Sequence, residues 1–192
     1  MEIIHGHQVE FNADRHEYFV DGILVPSVSQ ICKMENPGMY MGVDESVLLN
    51  AARKGTNLHK DIEDFEKYGV INEKSLEIRN YITLKARLNI VKQMSERMII
   101  IEHDGRIVCA GRFDLFATVN GVPALVDFKR TYEIHHAYVK LQLNLYRMGL
   151  MQCYGETIDQ LMVIRLRYAQ VELHEVDIDE AYVKRVLDKY KS

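Results

Sequence analysis

The chain reads as a mixed α/β fold in which a central mixed sheet is flanked by helices, and three observations carry that reading. Two turn-forming pairs, Asp104-Gly105 and Asn120-Gly121, each separate segments that are apolar or alternating, which marks β-hairpins. The run HAYVKLQLNLYRMGLM that follows has the apolar spacing of a helix, not the period of two of a strand. Beyond it, TIDQLMVIRLRYAQVELHEVDI divides into two further strands.

The other elements follow in order. His7 to Phe11 and Tyr18 to Val25 predict a small hairpin across Asp21-Gly22, and Ser27, just after Pro26, is placed to cap a short helix. Asn36-Pro37-Gly38 breaks the chain. Helical pattern then runs from about Asp44 to Tyr68, with Gly55 as its point of interruption, and again from about Glu73 to Gln93. A closing helix is expected from Glu180 to Tyr190. With 192 residues, 47% of them hydrophobic, the chain can bury one core. That predicts a single domain over residues 1–192, in which an N-terminal hairpin and helices (1–94) precede a core (95–192). No internal repeat, low-complexity segment or long linker interrupts it.

Polar residues concentrate between Gly111 and Tyr146. Asp114 and Asp127 fall on neighbouring strands of the Asn120-Gly121 hairpin. In the second strand, ALVDFKR, residues i and i+2 share a face, so Asp127 and Lys129 emerge together while Val126 and Phe128 face the other way. Two aspartates and a lysine in an apolar strand pair are costly unless they pair with one another or bind a cation. A divalent metal would resolve that cost; a structural ion pair is the alternative. Gln142 and Tyr146 lie at i and i+4 on one face of the next helix. Upstream, Gly55-Thr56-Asn57-Leu58-His59 leads to a histidine at i, i+4 from Glu63, which is either a metal ligand or the partner of that glutamate.

These pieces resemble, in the same order, the PD-(D/E)XK nuclease superfamily, and within it the RecB-like and phage-exonuclease branch. The matching motifs are GTNLH with His59, GRFD with Asp114, VDFK with Asp127 and Lys129, and QLNLY with Gln142 and Tyr146. The segment YFVDGILVPSVSQI is similar to the N-terminal segment of phage members. The resemblance implies a restriction-endonuclease-like core of order α–β–β–β–α–β with an N-terminal helical elaboration. It also implies a Mg²⁺- or Mn²⁺-dependent deoxyribonuclease, an exonuclease of phage recombination or DNA repair type. An endonuclease with the same core and a catalytically idle DNA-binding protein are the alternatives.

By the same resemblance, Asp114 and Asp127 are metal ligands, the backbone carbonyl of Phe128 completes the shell and His59 is an additional ligand. Lys129 positions or activates the attacking water and steadies charge on the phosphate, while Gln142 and Tyr146 orient the motif and contact DNA. Phosphodiester hydrolysis needs a Lewis acid, a nucleophilic hydroxide and stabilisation of an extra negative charge, which such a set supplies. Oxygen-rich ligation suits Mg²⁺ or Mn²⁺ better than structural zinc. Phe113 stands where the family name has proline, and the second carboxylate is aspartate; neither change removes a ligand. Glu102, on the strand leading to the Asp104-Gly105 turn, is a further candidate metal carboxylate or else a solvated strand-end residue.

Composition bounds the rest. The net charge of −4 requires that phosphate-binding cations be clustered near the motifs. The candidates are Arg53, Lys54 and Lys60 near His59, Arg112 and Arg130 near the strand motifs, and Lys140 and Arg147 near the last motif. His135-His136 cannot face one site together and suit a surface or DNA-proximal role. Cys32, Cys109 and Cys153 are too few for the four-cysteine iron–sulfur cluster of some RecB-like relatives, so no cluster and no disulfide framework is expected. No GxxxxGK[ST] loop is present, so no nucleotide cofactor is expected and unwinding would fall to a helicase partner. The resemblance further implies a DNA substrate, a recombinase or single-strand-binding protein as partner, and a homo-oligomer. No apolar run spans a bilayer and the N-terminus lacks the form of a signal peptide, which predicts a cytoplasmic protein without membrane association.

Overall fold

The computed structural model describes residues 1–190. Its first strands, β1 (Glu2–Ile4), β2 (His7–Asn12), β3 (Glu17–Val20) and β4 (Ile23–Val25), form an antiparallel meander, two strands more than the hairpin the sequence predicts. The short helix α1 (Val28–Glu35) starts as expected at Ser27. The Ser27 hydroxyl accepts from the Gln30 N–H at 3.1 Å, and the Gln30 side chain accepts from the Ser27 N–H at 2.7 Å, a reciprocal cap. The apolar face of the meander, with Val9, Tyr18 and Val20, packs on Met98, Ile100 and Ala110.

A five-stranded sheet forms the centre: β5 (Val91–His103), β6 (Arg106–Val119), β7 (Val122–Lys129), β8 (Gln160–Arg167) and β9 (Gln170–Val176), adjacent in that order. Every pair is antiparallel except β7–β8, which is parallel and so needs a crossover. That crossover is α4 (His136–Tyr154), whose buried residues form one core layer with β5, β6 and the closing helix α5 (Glu180–Leu187). The opposite face is covered by α2 (Glu45–Tyr68) and α3 (Leu76–Arg87), through Leu58, Ile62, Ile78, Tyr81 and Leu84 against Leu115, Val126, Phe128 and Ile164. The α–β–β–β–α–β order is therefore present, with helices on both faces of a mixed sheet.

Three boundaries differ from the sequence reading. Helix α2 runs without interruption through Gly55, where an added Cβ would meet nothing within 4 Å; the glycine costs some helix propensity and breaks no contact. The second helix is much shorter than Glu73 to Gln93, because Asn89 adopts the left-handed conformation (φ 45°) just past the Leu88 C-cap and β5 begins at Val91. The 94/95 division thus falls inside one strand. The last helix stops at Leu187 and continues as a single 3-10 turn, Asp188–Tyr190. At the Asn120-Gly121 hairpin both residues have positive φ (50° and 85°), the backbone that a two-residue turn between twisted strands favours. Among the described residues no helix is long and apolar enough to cross a membrane.

Helix α4 lies unusually close to β5. A Cβ on Gly149 would stand 2.5 Å from Cδ1, 3.0 Å from Cγ1 and 3.1 Å from Cβ of Ile99, too deep in that side chain for a rotamer change to clear it. Gly149→Ala is accordingly expected to destabilise the fold by about 1–2 kcal/mol despite alanine's better helix propensity. Denaturant unfolding measures this, and an unchanged or higher midpoint would show that the α4–β5 contact is looser than described.

Candidate metal centre and active site

The β6–β7 ladder runs from Val119↔Val122 to Leu115↔Val126 and goes no further. Where it ends, the next residues on the two strands are Asp114 and Asp127. The Phe128 N–H, with no backbone acceptor on β6, donates instead to Asp114 Oδ2 at 2.7 Å. A strand residue's N–H and C=O point the same way, so the Phe128 carbonyl also faces this fork. The Phe128 ring lies on the opposite face, in the α2–α3 core layer.

Asp127 is 2% exposed and faces α4 together with Lys129. The Lys129 ammonium donates to Asp127 Oδ1 at 2.9 Å and to Gln142 Oε1 at 3.0 Å. Asp127 Oδ2 is 2.7 Å from the same ammonium but makes no hydrogen bond of acceptable geometry, which leaves a buried carboxylate oxygen with unused acceptor capacity. Gln142, itself buried, is also hydrogen-bonded to Tyr146. The Tyr146 ring rests on Gly111, where a Cβ would approach its Cε1 to 2.8 Å. Asp127, Lys129, Gln142 and Tyr146 thus form one connected chain from strand to helix.

On the other side of the fork, His59 Nδ1 lies 3.3 Å from Asp114 Oδ1. His59 does not pair with Glu63, which is taken by Lys67 at 2.5 Å. The third member of this group is Glu96, absent from the sequence reading. Ligand atoms of His59, Glu96 and Asp114 all lie within 4.8 Å of one another, while Asp127 is not within that distance of all three. Opposite ligands of a six-coordinate Mg²⁺ or Mn²⁺ sit about 4.2 Å apart, so a small inward adjustment would bring these side chains onto a hard divalent cation.

Glu96 was hidden by a β-bulge. Counting back from the Asp104-Gly105 turn, where His103 pairs with Arg106, places Ser95 opposite Asp114. The register shifts between Ile101 and Glu102, leaving Val108 as an extra residue, and Ser95 then pairs with Leu115 and Arg97 with Phe113. Glu96 is left facing Asp114. Its backbone is left-handed (φ 51°), a conformation that costs a side-chain-bearing strand residue about 1–3 kcal/mol. Glu102, the carboxylate proposed for this role, is six residues along the strand, roughly 20 Å at strand rise. Its backbone exchanges hydrogen bonds with the Gln152 side chain at 3.1 and 2.8 Å, and it is not part of the centre.

The charges at the fork hold one another in place. Burial raises the Glu96 carboxyl to about 7, reinforced by the neighbouring Asp114 and opposed by Arg112. Burial likewise lifts Asp127 to about 6 against the pull of Lys129. Burial works against the charged His59 ring, but Asp114 outweighs it and raises the imidazole to about 9. For Asp114, burial is opposed by His59 and Lys129, and the net direction is downward. Burial also opposes the Lys129 charge, and Asp127 and Asp114 overcome it and raise the ammonium's pKa.

The expected phosphate-binding cations are mostly engaged. Arg112 pairs with Glu96 at 3.0 Å, Lys60 with Asp64 at 3.0 Å and Arg130 with Glu77 at 2.7 Å. Lys140 pairs with Asp179 at 2.9 Å. Arg147 pairs with Glu180 and donates to the Ile158 carbonyl, tying α4 to α5 and to the start of β8. Lys140 and Arg147 are rotated by about 200° and 140° from Gln142 around α4 at 100° per residue, so they face away from the fork. Arg53 and Lys54 have no salt bridge among the described residues. His135 stands at the N-cap of α4 beside Tyr40, and His136 lies beside His174, so the two histidines do point to different neighbours. A cleft of about 130 Å³ opens beside Lys129, bordered by Tyr40, Thr131, His135 and Tyr138.

No family model matches the chain, and no curated protein matches it. Among solved structures it is similar to the crystal structure of SSO0001, at 15% identity and a TM-score of 0.45, over 86% of this chain and 74% of that one. It is also similar to an alkaline exonuclease (LHK-Exo) from Laribacter hongkongensis, at 10% identity and a TM-score of 0.46, over 86% of this chain and 85% of that one.

A cation entering the fork must displace the proton that His59 holds up to about 9 and the one that Glu96 holds up to about 7. Both groups lose their protons as pH rises, so Mn²⁺ affinity is expected to increase by an order of magnitude or more between pH 6 and pH 8.5. Titration calorimetry in two buffers of different ionisation enthalpy also reads the protons released. A pH-independent affinity without proton release would place the ion elsewhere.

Proposed function

We propose that the protein is a divalent-metal-dependent deoxyribonuclease that hydrolyses DNA phosphodiester bonds, with Mg²⁺ or Mn²⁺ as its ion. The observation that carries this reading is the largely buried Asp114–Asp127–Lys129 set at the fork of β6 and β7, extended by His59 and Glu96. A structural ion pair would need one acid and one base. This site gathers three carboxylates at one fork, opposed by Lys129, His59 and Arg112. Such a concentration of carboxylates suits a cation and the phosphate it attracts.

Asp114, Glu96 and His59 would hold the ion, with Asp127 and the Phe128 carbonyl facing the same gap. When bound, the metal supplies Lewis acidity and a water acidified towards neutral pH. Asp127 and Asp114 outweigh the burial of Lys129 and favour its ammonium form, so it donates and carries charge. Its three N–H bonds include those to Asp127 and Gln142, which leaves a donor for a phosphate oxygen. Charge developing on that oxygen in the transition state would meet a fixed, desolvated cation. Gln142 aims the ammonium, and Tyr146 holds Gln142.

Within this activity we place the protein among exonucleases of phage recombination or repair type, acting with a recombinase, a single-strand-binding protein or a helicase. Support for that refinement is the order and spacing of the GTNLH, GRFD, VDFK and QLNLY motifs. The decisive experiment incubates the protein with linear and covalently closed circular DNA in Mg²⁺, Mn²⁺ or EDTA. Metal-dependent loss of linear DNA alone is expected, and Lys129→Ala should reduce the rate by about 10²–10³ with Mn²⁺ binding retained. Nicking or linearisation of the circle would make it an endonuclease. No cleavage of either substrate with any ion would overturn the nuclease reading.

A further inference from the structure

Beside the fork, the parallel pairing of β7 and β8 ends with Lys129 opposite Arg165, and each of these residues is followed three positions later by an exposed tyrosine. Tyr132 is 78% exposed and Tyr168 is 52% exposed. Arg167 lies between them, its guanidinium carbon 5.1 Å from the Tyr132 ring and 5.5 Å from the Tyr168 ring. Arg130, the residue after Lys129, stacks on Tyr168 at 4.8 Å. A ladder of two aromatic rings and two guanidinium groups therefore lies past the end of the strand that carries the candidate catalytic lysine, anchored on the α3 side of the sheet.

The ladder is held from below by buried charge. Arg165, 6% exposed, donates to the carbonyls of Thr131 and Tyr132 at 2.9 and 2.6 Å and so fixes the loop that presents Tyr132. Glu77, 8% exposed, accepts from the Tyr168 N–H at 3.1 Å and from Arg130 at 2.9 Å. Asn80 donates to the Tyr168 carbonyl at 3.0 Å, so both backbone groups of that tyrosine are bound by side chains of α3. The backbone of Tyr168 is left-handed (φ 54°) in the two-residue turn between β8 and β9, where glycine would be at ease and a bulky side chain is an outlier. Strain of this kind is held in place here by the buried Glu77 and by Asn80. Lys54 from α2 acts electrostatically on the Tyr168 hydroxyl and adds a further cation near the rings.

We propose that Tyr132 and Tyr168, with Arg167 between them, form a stacking platform for the unpaired bases of a single-stranded polynucleotide. Exposed aromatic rings interleaved with cations are what unpaired bases and their phosphates recognise, whereas a paired duplex offers no free base faces. Arg130 and Lys54 supply the phosphate contacts, and the strand is led toward Lys129. That last step rests on the nuclease reading; the stacking itself does not.

The test is fluorescence anisotropy in EDTA, which prevents cleavage, with a labelled oligothymidylate, an abasic strand of the same length and a blunt hairpin duplex. The oligothymidylate is expected to bind about tenfold or more tightly than the abasic strand, which carries the same phosphates without bases. The double variant Tyr132→Ala/Tyr168→Gly should abolish that difference and leave abasic affinity unchanged, while Tyr132→Phe/Tyr168→Phe should preserve it. Because glycine relieves the positive φ of Tyr168, the first variant should fold with undiminished thermal stability. Equal affinity of the parent for thymidylate and abasic strands would overturn the platform, as would equal losses on both in the double variant, even if the parent cleaves DNA. A base-dependent affinity removed with the tyrosines would sustain it even if no ion supports cleavage.

Discussion

The removal of Asp114, Asp127 and Lys129 from water is the constraint on which the rest of the structure depends. Charges so placed are tolerated only when every one has partners, and the surrounding fold provides them. The β6–β7 ladder stops so that the Phe128 N–H can serve Asp114. Helix α4 is buried with Gln142 beneath the Lys129 ammonium, and α2 presents His59 to Asp114. Without a cation, three carboxylates face Lys129, Arg112 and His59; the proton on His59 completes the balance, and Glu96 gains a further one as pH falls below about 7. The same protons are what a metal ion would replace, so metal occupancy, pH and local stability are one linked equilibrium.

The sign of that linkage follows from the directions of the shifts. Glu96 and Asp127, raised by burial, disfavour the fold once ionised, so their contribution is lost as pH climbs from the ordinary carboxylate range toward 7. His59 stabilises the fold while protonated, fully below its ordinary value and no longer above about 9. The apo protein is therefore expected to weaken in the alkaline range, where a cation binds best. Glu96 adds a backbone in the left-handed region to this tension, and a bound cation would offset both.

How much of this was legible in the sequence depended on distance along the chain. The fork residues were legible because period-two alternation in ALVDFKR and the Asn120-Gly121 turn fix strands and faces locally. Glu96 was not, since one bulge residue, Val108, moves the β5 register from Ser95 to Glu96, and no periodicity announces a bulge. The placement of the cations was less legible for a related reason: Lys140 and Arg147 are near Gln142 in sequence but on other sides of the helix, and the ion pairs of Arg112 with Glu96 and of Arg130 with Glu77 join residues far apart in the chain. Tyr132 and Tyr168 became neighbours only through the parallel β7–β8 register, which the sequence leaves open.

These relations turn on whether the fork is a cation site. Crystals soaked in Mn²⁺ and measured for anomalous scattering address that directly. The account predicts a peak bounded by His59, Glu96 and Asp114, with the Asp127 carboxylate and Phe128 carbonyl on its far side and Lys129 outside the coordination shell. A fork that stays free of anomalous density at saturating Mn²⁺, with His59 still bonded to Asp114, would contradict it and reduce the buried charges to a structural network.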